Sequence, residues 1–163
     1  MFLDESRCNT DMTRRYAYSL GGSRAVDSAP LSKPKNTTIL SSIQLDGTLR
    51  YTTFSGGTTV ERFKRYLETD LLPHLNGNSV LIMDNMKSHH AKAVKNLLDS
   101  SEIRYIYLPP YSPDLNPIEK LWSKVKAFLR KFKARTLDAL PNAIQNAFHA
   151  VTVSDCSGWF RFC

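Results

Sequence analysis

The chain has 163 residues, which is about the length of one domain. Apolar residues make up 42% of it, and no apolar run approaches the roughly 20 residues that a membrane span needs. Its net charge of +7 favours a polyanionic partner. The three cysteines form no CxxC pair, so a disulfide framework or a structural zinc site is disfavoured and a reducing cytoplasm is expected.

Strands and helices alternate along the predicted chain. Strands are expected at residues 1–5, 14–18, 37–45 and 48–54, and an Asp46-Gly47 turn joins the last two. A helix capped by Thr58 or Thr59 runs to about residue 72, and a strand buried on both faces occupies 79–83. A helix over 88–98, a strand over 103–108, a proline-rich loop and helices over 116–132 and 136–151 follow. This order predicts an α/β fold with a mixed sheet and helices packed on it.

Three carboxylates are candidates for a shared metal site. Asp84 follows the apolar run 80–83, Asp4 follows Phe2-Leu3 at an expected strand end, and Glu119 opens a helix. Carboxylates gathered at one sheet edge repel each other unless a cation neutralises them, and oxygen ligands favour Mg²⁺ or Mn²⁺ over zinc. Two such ions suit phosphoryl transfer by a water or a 3′-hydroxyl. The simpler alternatives are that Asp84 caps a turn and that Glu119 only favours the helix dipole.

Positive charge is concentrated between residues 116 and 135. This segment has seven basic residues and one acid, so 7 − 1 gives +6 of the net +7. On a helical wheel Glu119 falls on the flank of the apolar face. Lys126, Arg130 and Lys133 fall within about 40° of Glu119 on this wheel. This pattern favours a phosphate track beside Glu119. A solvated basic face is the other interpretation. No GxxxxGK[ST] motif supports nucleotide hydrolysis.

Two stretches, DNMKSH at 84–89 and LPPYSPDLNPIEKLW at 108–122, closely resemble the catalytic core of IS630/Tc1/mariner transposases. The spacing agrees, since 119 − 84 − 1 leaves 34 residues between the second and third acids, the DD34E pattern of that family. Asp4 matches the first aspartate of the triad.

The resemblance implies a ribonuclease H-like fold and a DDE transposase. Such an enzyme cleaves DNA at transposon ends and transfers the strands, with two Mg²⁺ or Mn²⁺ ions held by Asp4, Asp84 and Glu119. Asn85 and His89 match motif positions beside the second aspartate, with His90 as an alternative imidazole. Asn116 is expected to cap the helix of Glu119 through its side chain.

Family members carry an N-terminal helix-turn-helix region that these residues do not match, so 1–163 is interpreted as a single DDE catalytic domain. The implied partners are double-stranded DNA (transposon ends and target), the helix-turn-helix half of a split transposase and a second copy in a homodimer, with no membrane. The expected location is the bacterial cytoplasm, at the nucleoid. Two alternatives stay open: another metal-dependent nuclease or recombinase of the same fold, and an inactive or truncated remnant that only binds DNA or assembles.

Overall fold

The computed structural model describes residues 1–14, 16–28, 30, 34–161 and 163. A five-stranded mixed sheet forms the centre of this part of the chain, in the order β3-β2-β1-β4-β5. The strands are β1 (Phe2–Asn9), β2 (Asn36–Ile43), β3 (Leu49–Ser55), β4 (Val80–Met83) and β5 (Arg104–Tyr107). The α-helices are α1 (Val60–Tyr66), α2 (Lys92–Ser100), α3 (Ile118–Phe132), α4 (Ala139–His149) and α5 (Val153–Arg161). The predicted α/β class and mixed sheet are confirmed.

The first three strands form an antiparallel meander, and β4 and β5 run parallel to β1. The turn between β2 and β3 is the predicted hairpin. Gly47 has a φ of 89°, which favours glycine, and the Asp46 carboxylate accepts from the Thr48 amide at 2.8 Å. Thr59 caps α1 by accepting from the Arg62 amide at 3.3 Å, as one of the two predicted cap residues.

Successive strand residues point to opposite faces of the sheet, so the domain has two cores. On one face α1, α2 and the turns after α1 cover Leu3, Leu40, Leu81 and Met83. On the other face α3, α4 and α5 cover Cys8, Ile39 and Ile43. The predicted packing of the aromatic tail holds for the part described, because Trp159 and Phe160 lie against this second core. Phe162 lies outside the described residues.

Several sequence predictions need correction. β1 extends to Asn9 instead of ending near residue 5. Residues 14 and 16–18 lie in no strand, and the remaining position of that predicted strand, 15, lies outside the described residues. β4 is not buried on both faces: Val80 and Ile82 are half-buried, because the core under α3–α5 contains residues of β1–β3 and none of β4. The helix predicted from 88 starts at Lys92, after a turn over 87–90.

None of the described helices is both long enough and apolar enough to cross a bilayer.

Candidate active site

Strand register makes Asp4 and Asp84 neighbours. β1 and β4 pair in parallel over two residues, and the second pair is Leu3 with Met83. The next residues along the two strands are Asp4 and Asp84, at the point where β4 ends. Asp4 therefore lies inside β1, which continues along β2 to Asn9, and not at a strand end as the sequence predicted. β4 is shorter than β1 and ends beside Asp4. The open edge next to Asp4 is therefore formed by the end of β4, and not by the end of β1 as expected.

The Asp4 carboxylate is held by two donors. It is only 7% exposed, and its Oδ2 accepts from the Trp122 indole Nε1–H at 3.0 Å, while Oδ1 accepts from the Glu5 amide at 2.7 Å. Burial raises the pKa of Asp4 to about 7, against the opposing effect of these hydrogen bonds, and the nearby charge of Asp84 adds to the rise. The site is therefore built to hold a carboxylate whose negative charge calls for a cation.

Asp84 is held by a buried histidine. Its Oδ1 lies 2.8 Å from His89 Nδ1 and accepts from the Met86 amide at 3.1 Å. The other ring nitrogen, Nε2, lies 3.3 Å from Glu5 Oε1, and the His89 ring stacks on Phe63 with 4.1 Å between centroids. His89 thus joins the residue after Asp4 to Asp84 across the end of the sheet.

The charges in this bridge support each other. Burial acts to lower the pKa of His89, but hydrogen bonds to Asp84 and Glu5 raise it to about 9. Partial burial acts to raise the pKa of Asp84, yet the hydrogen bond and charge of His89 outweigh it and hold that pKa below its usual range. The bridge therefore favours the imidazolium form of His89 beside the carboxylate form of Asp84.

The third acid, Glu119, reaches the same place from the first turn of α3. Its side chain is exposed and has no hydrogen-bond or ion-pair partner within the part of the chain that the structure describes. Asp4, Asp84 and Glu119 together line a cleft of about 500 Å³, here called the acid cleft. Asn85, Met86, Asn116 and the loop 108–113 complete its lining. The predicted triad is brought together by the fold.

A different set of ligand atoms is more compact. Glu5, Asp84 and His89 offer atoms within 4.8 Å of one another, the one such group among the described residues. Each ring nitrogen of His89 already faces a separate carboxylate, so this group is a hydrogen-bonded bridge. The acid cleft fits a hard divalent cation better, because its three carboxylates offer oxygen ligands and the described part of the chain gives Glu119 no competing partner.

The residues predicted to support the acids differ in their positions and contacts. Asn85 lines the acid cleft and its Oδ1 bonds to His90 Nε2, while the His90 ring stacks on Tyr107. His89, and not His90, is the imidazole that contacts a triad acid. The predicted side-chain cap by Asn116 is wrong: its backbone oxygen accepts from the Glu119 amide, whereas its buried Oδ1 has no partner among the described residues. Asn116 instead belongs to the lining of the acid cleft.

The three cations predicted beside Glu119 do not line the acid cleft. Lys126 lies seven residues along α3, about 10 Å from Glu119 at 1.5 Å per residue. Lys133 lies beyond the helix, with a left-handed φ of 56°, and its ammonium is 2.5 Å from Asp27. The helical wheel extends the helix to Lys133, but α3 ends at Phe132.

Two other cations share a cleft with two of the acids. Asp4 and Asp84 also line a second cleft of about 430 Å³, whose exposed side chains include Arg7 and Lys87. Arg7 is in the part of β1 beyond residue 5, where the sequence predicts no strand. Lys87 begins the turn over 87–90.

Sequence reasoning missed Glu5 and Trp122 as parts of the site. Trp122 lies three residues after Glu119 on α3, and this spacing places the two on one side of a helix. That spacing was a usable signal for the indole. No comparable signal existed for Glu5, which faces away from Asp4 on the strand and meets His89 only through the fold.

Comparison with known proteins agrees with this geometry. The family model of the DDE superfamily endonuclease matches residues 1–141. The chain belongs to the DDE superfamily endonuclease family. The match includes β1–β5, α1–α3 and all three acids of the acid cleft.

Two nematode transposases resemble this DDE endonuclease domain in sequence. The Tc1 transposase of Caenorhabditis elegans is 29% identical over 97 residues, which is 57% of this chain and 36% of that protein. The Tcb2 transposase of Caenorhabditis briggsae is 31% identical over 75 residues, 46% of this chain and 28% of that protein. The aligned region is thus about a third of either relative.

Solved structures of Mos1 transposase share the fold. A Mos1 paired-end complex with the left transposon end superposes with a TM-score of 0.81 at 19% identity, over 98% of this chain and 50% of that one. The Mos1 catalytic domain with Raltegravir and Mg gives a TM-score of 0.70 at 16% identity, over 98% of this chain and 76% of that one. The ribonuclease H-like fold implied by the sequence resemblance is confirmed. This DDE endonuclease domain spans about half the length of the Mos1 chain in the paired-end complex.

Proposed function

We propose that this chain is the catalytic domain of a transposase that cleaves DNA at transposon ends and transfers the strands to target DNA. The observation that carries the proposal is the meeting of Asp4, Asp84 and Glu119 at one cleft of a DDE endonuclease. Its relatives in sequence and fold are transposases. An inactive remnant would have no need to keep Asp4 and Asp84 hydrogen-bonded to buried partners next to Glu119.

We further propose that the acid cleft holds two Mg²⁺ or Mn²⁺ ions, with Asp4, Asp84 and Glu119 as protein ligands. Bound divalent ions lower the pKa of an attacking water or 3′-hydroxyl and stabilise the leaving oxygen of a phosphodiester. The donor set fits such ions, because a buried carboxyl with a pKa of about 7 gains from a neighbouring positive charge.

The residues of this chain hold the three carboxylates in different ways. Trp122 and the Glu5 amide fix both oxygens of Asp4, and His89 with the Met86 amide fixes one oxygen of Asp84. Positions fixed before the substrate arrives remove part of the ordering cost from the reaction. Glu119 keeps its rotational freedom until a ligand occupies the cleft. Asn85 and Asn116 add neutral polar groups to the cleft wall.

The proposal is tested by removing one ligand charge at a time. Asp84→Asn and Glu119→Gln should each reduce strand cleavage by at least about 100-fold in Mg²⁺, since one missing ligand disturbs the metals and the transition state together. The measurement is cleavage of a radiolabelled duplex carrying the element's own ends. DNA affinity in a gel shift should stay within about twofold, because cationic side chains bind the phosphates. Near wild-type cleavage by either variant contradicts the proposal.

The path of the DNA backbone needs a separate test. The sequence favours Lys126, Arg130 and Lys133, whereas Arg7 and Lys87 line a cleft together with Asp4 and Asp84, and Lys133 pairs with Asp27. We propose that phosphates contact Arg7 and Lys87 as well as Lys126 and Arg130.

Two double variants of equal charge separate the two surfaces: Arg7→Gln with Lys87→Gln, and Lys126→Gln with Arg130→Gln. The slope of log affinity against log salt should flatten by about 0.9 for each phosphate-binding cation that a variant removes. Gel-shift titrations at several salt concentrations provide the slopes. A slope unchanged from wild type removes that pair from the DNA path. Equal small changes in affinity with no change in slope indicate long-range attraction alone.

Two further partners and a place of action belong to the same proposal. The match covers 28–50% of the relatives' own chains, which supports end recognition by a helix-turn-helix region that works with this domain. A paired-end complex of a relative supports action as two copies. With double-stranded DNA as substrate, the proposed place of action in a bacterial cell is the nucleoid.

A further inference from the structure

The loop above the acid cleft presents one aromatic side chain entirely to solvent. Tyr111 is 101% exposed and makes no hydrogen bond, ion pair or ring contact within the described residues. Tyr105 and Tyr107, on the strand just before it, use their hydroxyls to bond Asp99 and the His89 carbonyl oxygen. A tyrosine ring left in water forgoes roughly 1.5–3 kcal/mol of burial. The fold itself therefore gives no reason for a ring at position 111.

The backbone at Tyr111 is also unusual. Its φ of 57° lies in the left-handed region, which disfavours side chains with a Cβ by about 1–2 kcal/mol. Two other non-glycine residues of the described chain share this conformation, Glu102 and Lys133. Both end a helix, where a left-handed residue satisfies the last carbonyl groups. Tyr111 follows no helix, so the helix-end explanation does not apply to it.

The strained position lies at the reaction site. Tyr111 lines the acid cleft together with Asp4, Asp84 and Glu119. Pro110 before it and Pro113 after it each fix their own φ, which limits the alternatives open to the turn. Backbone strain kept beside a reaction centre is a sign of function, because surrounding structure must hold it against relaxation. The loop thus presents an exposed aromatic ring on a residue that lines the cleft of the three acids.

The chemistry of this surface identifies its ligand. A phosphodiester is bound by cations and by hydrogen-bond donors, the tyrosine hydroxyl among them, whereas the face of an uncharged ring offers it nothing. An unpaired nucleobase instead stacks on an aromatic ring and gains about 1–3 kcal/mol, whatever its sequence. In a duplex the faces of the bases are covered by their neighbours, so a base must leave the stack to reach such a ring.

We propose that Tyr111 stacks on an unpaired nucleobase adjacent to the scissile phosphodiester and so positions that phosphodiester in the acid cleft. This inference rests on the proposed function, since it assumes a DNA substrate. Tyr111 contacts the substrate without taking part in proton or phosphoryl transfer. Its removal therefore raises KM more than it lowers kcat.

The test uses the 163-residue chain and two DNA probes that differ in pairing. One probe is a forked duplex with 2-aminopurine as the first unpaired nucleotide, and the other has the same 2-aminopurine inside a complete duplex. Binding in Ca²⁺ is followed by fluorescence, which stacking quenches. Wild type should quench the forked probe, and Tyr111→Ala should abolish the quenching and weaken affinity by about 5- to 150-fold, the equivalent of 1–3 kcal/mol.

Three variants control for the loop. Tyr111→Trp and Tyr111→Phe should keep the quenching, because each retains a flat ring. Leu115→Ala removes a 49% exposed apolar side chain that follows Tyr111 but is outside the lining of the acid cleft, and should change neither probe. Tyr111→Gly should abolish the quenching and yet unfold at higher urea concentration than Tyr111→Ala, because glycine tolerates the left-handed backbone.

Several outcomes overturn the inference. It fails if wild type binds the forked probe with no quenching, or if Tyr111→Ala weakens the forked and paired probes equally. A change of molecular mass in light scattering on Tyr111→Ala would assign the ring to contact with a second copy instead. If wild type cleaves DNA and Tyr111→Ala cleaves it with an unchanged KM, stacking is rejected while the transposase proposal stands. If quenching behaves as expected but no DNA is cleaved, stacking stands and the transposase proposal fails.

Discussion

Asp4 and Asp84 reach the acid cleft with their carboxylates already held, whereas Glu119 arrives unrestrained. The partners of the two aspartates, Trp122 and His89, are themselves almost fully buried. Glu119 is exposed and without a side-chain partner among the described residues. The two aspartates lie at neighbouring positions of a hydrogen-bonded sheet, and Glu119 lies on the first turn of a helix. This site therefore combines two preorganised ligand positions with one adjustable position.

The largest expected effect is the loss of folding free energy that comes from keeping the buried Asp4 carboxyl group ionised. Its pKa of about 7 exceeds its ordinary value of 3.8, so the folded protein binds more protons than the unfolded chain between these values. Stability should therefore fall as pH rises through this window, by up to about 1.4 kcal/mol per pH unit and at most about 4 kcal/mol. Asp4→Asn should remove this slope.

The measurement is the free energy of urea unfolding in EDTA at pH 4.5, 5.5 and 6.5. This range avoids the two other groups of the site with shifted pKa values, because the lowered pKa of Asp84 acts below its ordinary range and the raised pKa of His89 acts from 6.5 to about 9. Parallel pH profiles for wild type and Asp4→Asn would show that Asp4 is not held in a costly charged state.

The next effect concerns the donor that holds Asp4. Trp122→Phe removes the indole N–H and leaves a buried carboxylate oxygen without its partner, which should cost about 1–3 kcal/mol at pH 8. Trp159→Phe, in the same core, removes a similar volume and serves as the matched control. The difference between the two variants in urea unfolding should shrink at pH 5, where Asp4 is protonated. A difference independent of pH would mean that packing, and not the hydrogen bond, accounts for it.

The smallest effect is expected at the adjustable position. Glu119→Gln should change the free energy of unfolding by less than about 0.5 kcal/mol in EDTA, because its side chain is exposed. Glu5→Gln, the same substitution at the buried end of the His89 bridge, should cost about 1.5–3 kcal/mol by removing a charged hydrogen bond. Chemical denaturation of both variants in parallel makes the comparison. Equal decreases in stability would mean that Glu119 is held as firmly as Glu5.

Local pattern was enough to predict much of the fold. The Asp46-Gly47 turn, the Thr59 cap, the apolar strand at 80–83 and the helix that begins near Glu119 depend on neighbours within a few residues. The resemblance at 84–89 and 108–122 indicated the three acids and the family. These features are visible in sequence because turn, cap and periodicity rules act over short distances.

Only the tertiary structure decided the contacts between residues far apart in the chain. Asp4 lies inside a strand and borders the cleft only because β4 stops beside it. The Glu5–His89 bridge joins positions 84 residues apart, and the Asp4–Trp122 bond joins positions 118 apart. Lys133 leaves the helix and pairs with Asp27, at a separation of 106 residues. Such pairings depend on strand register and on where a helix ends, and both are set by packing of the whole domain, which no local pattern records.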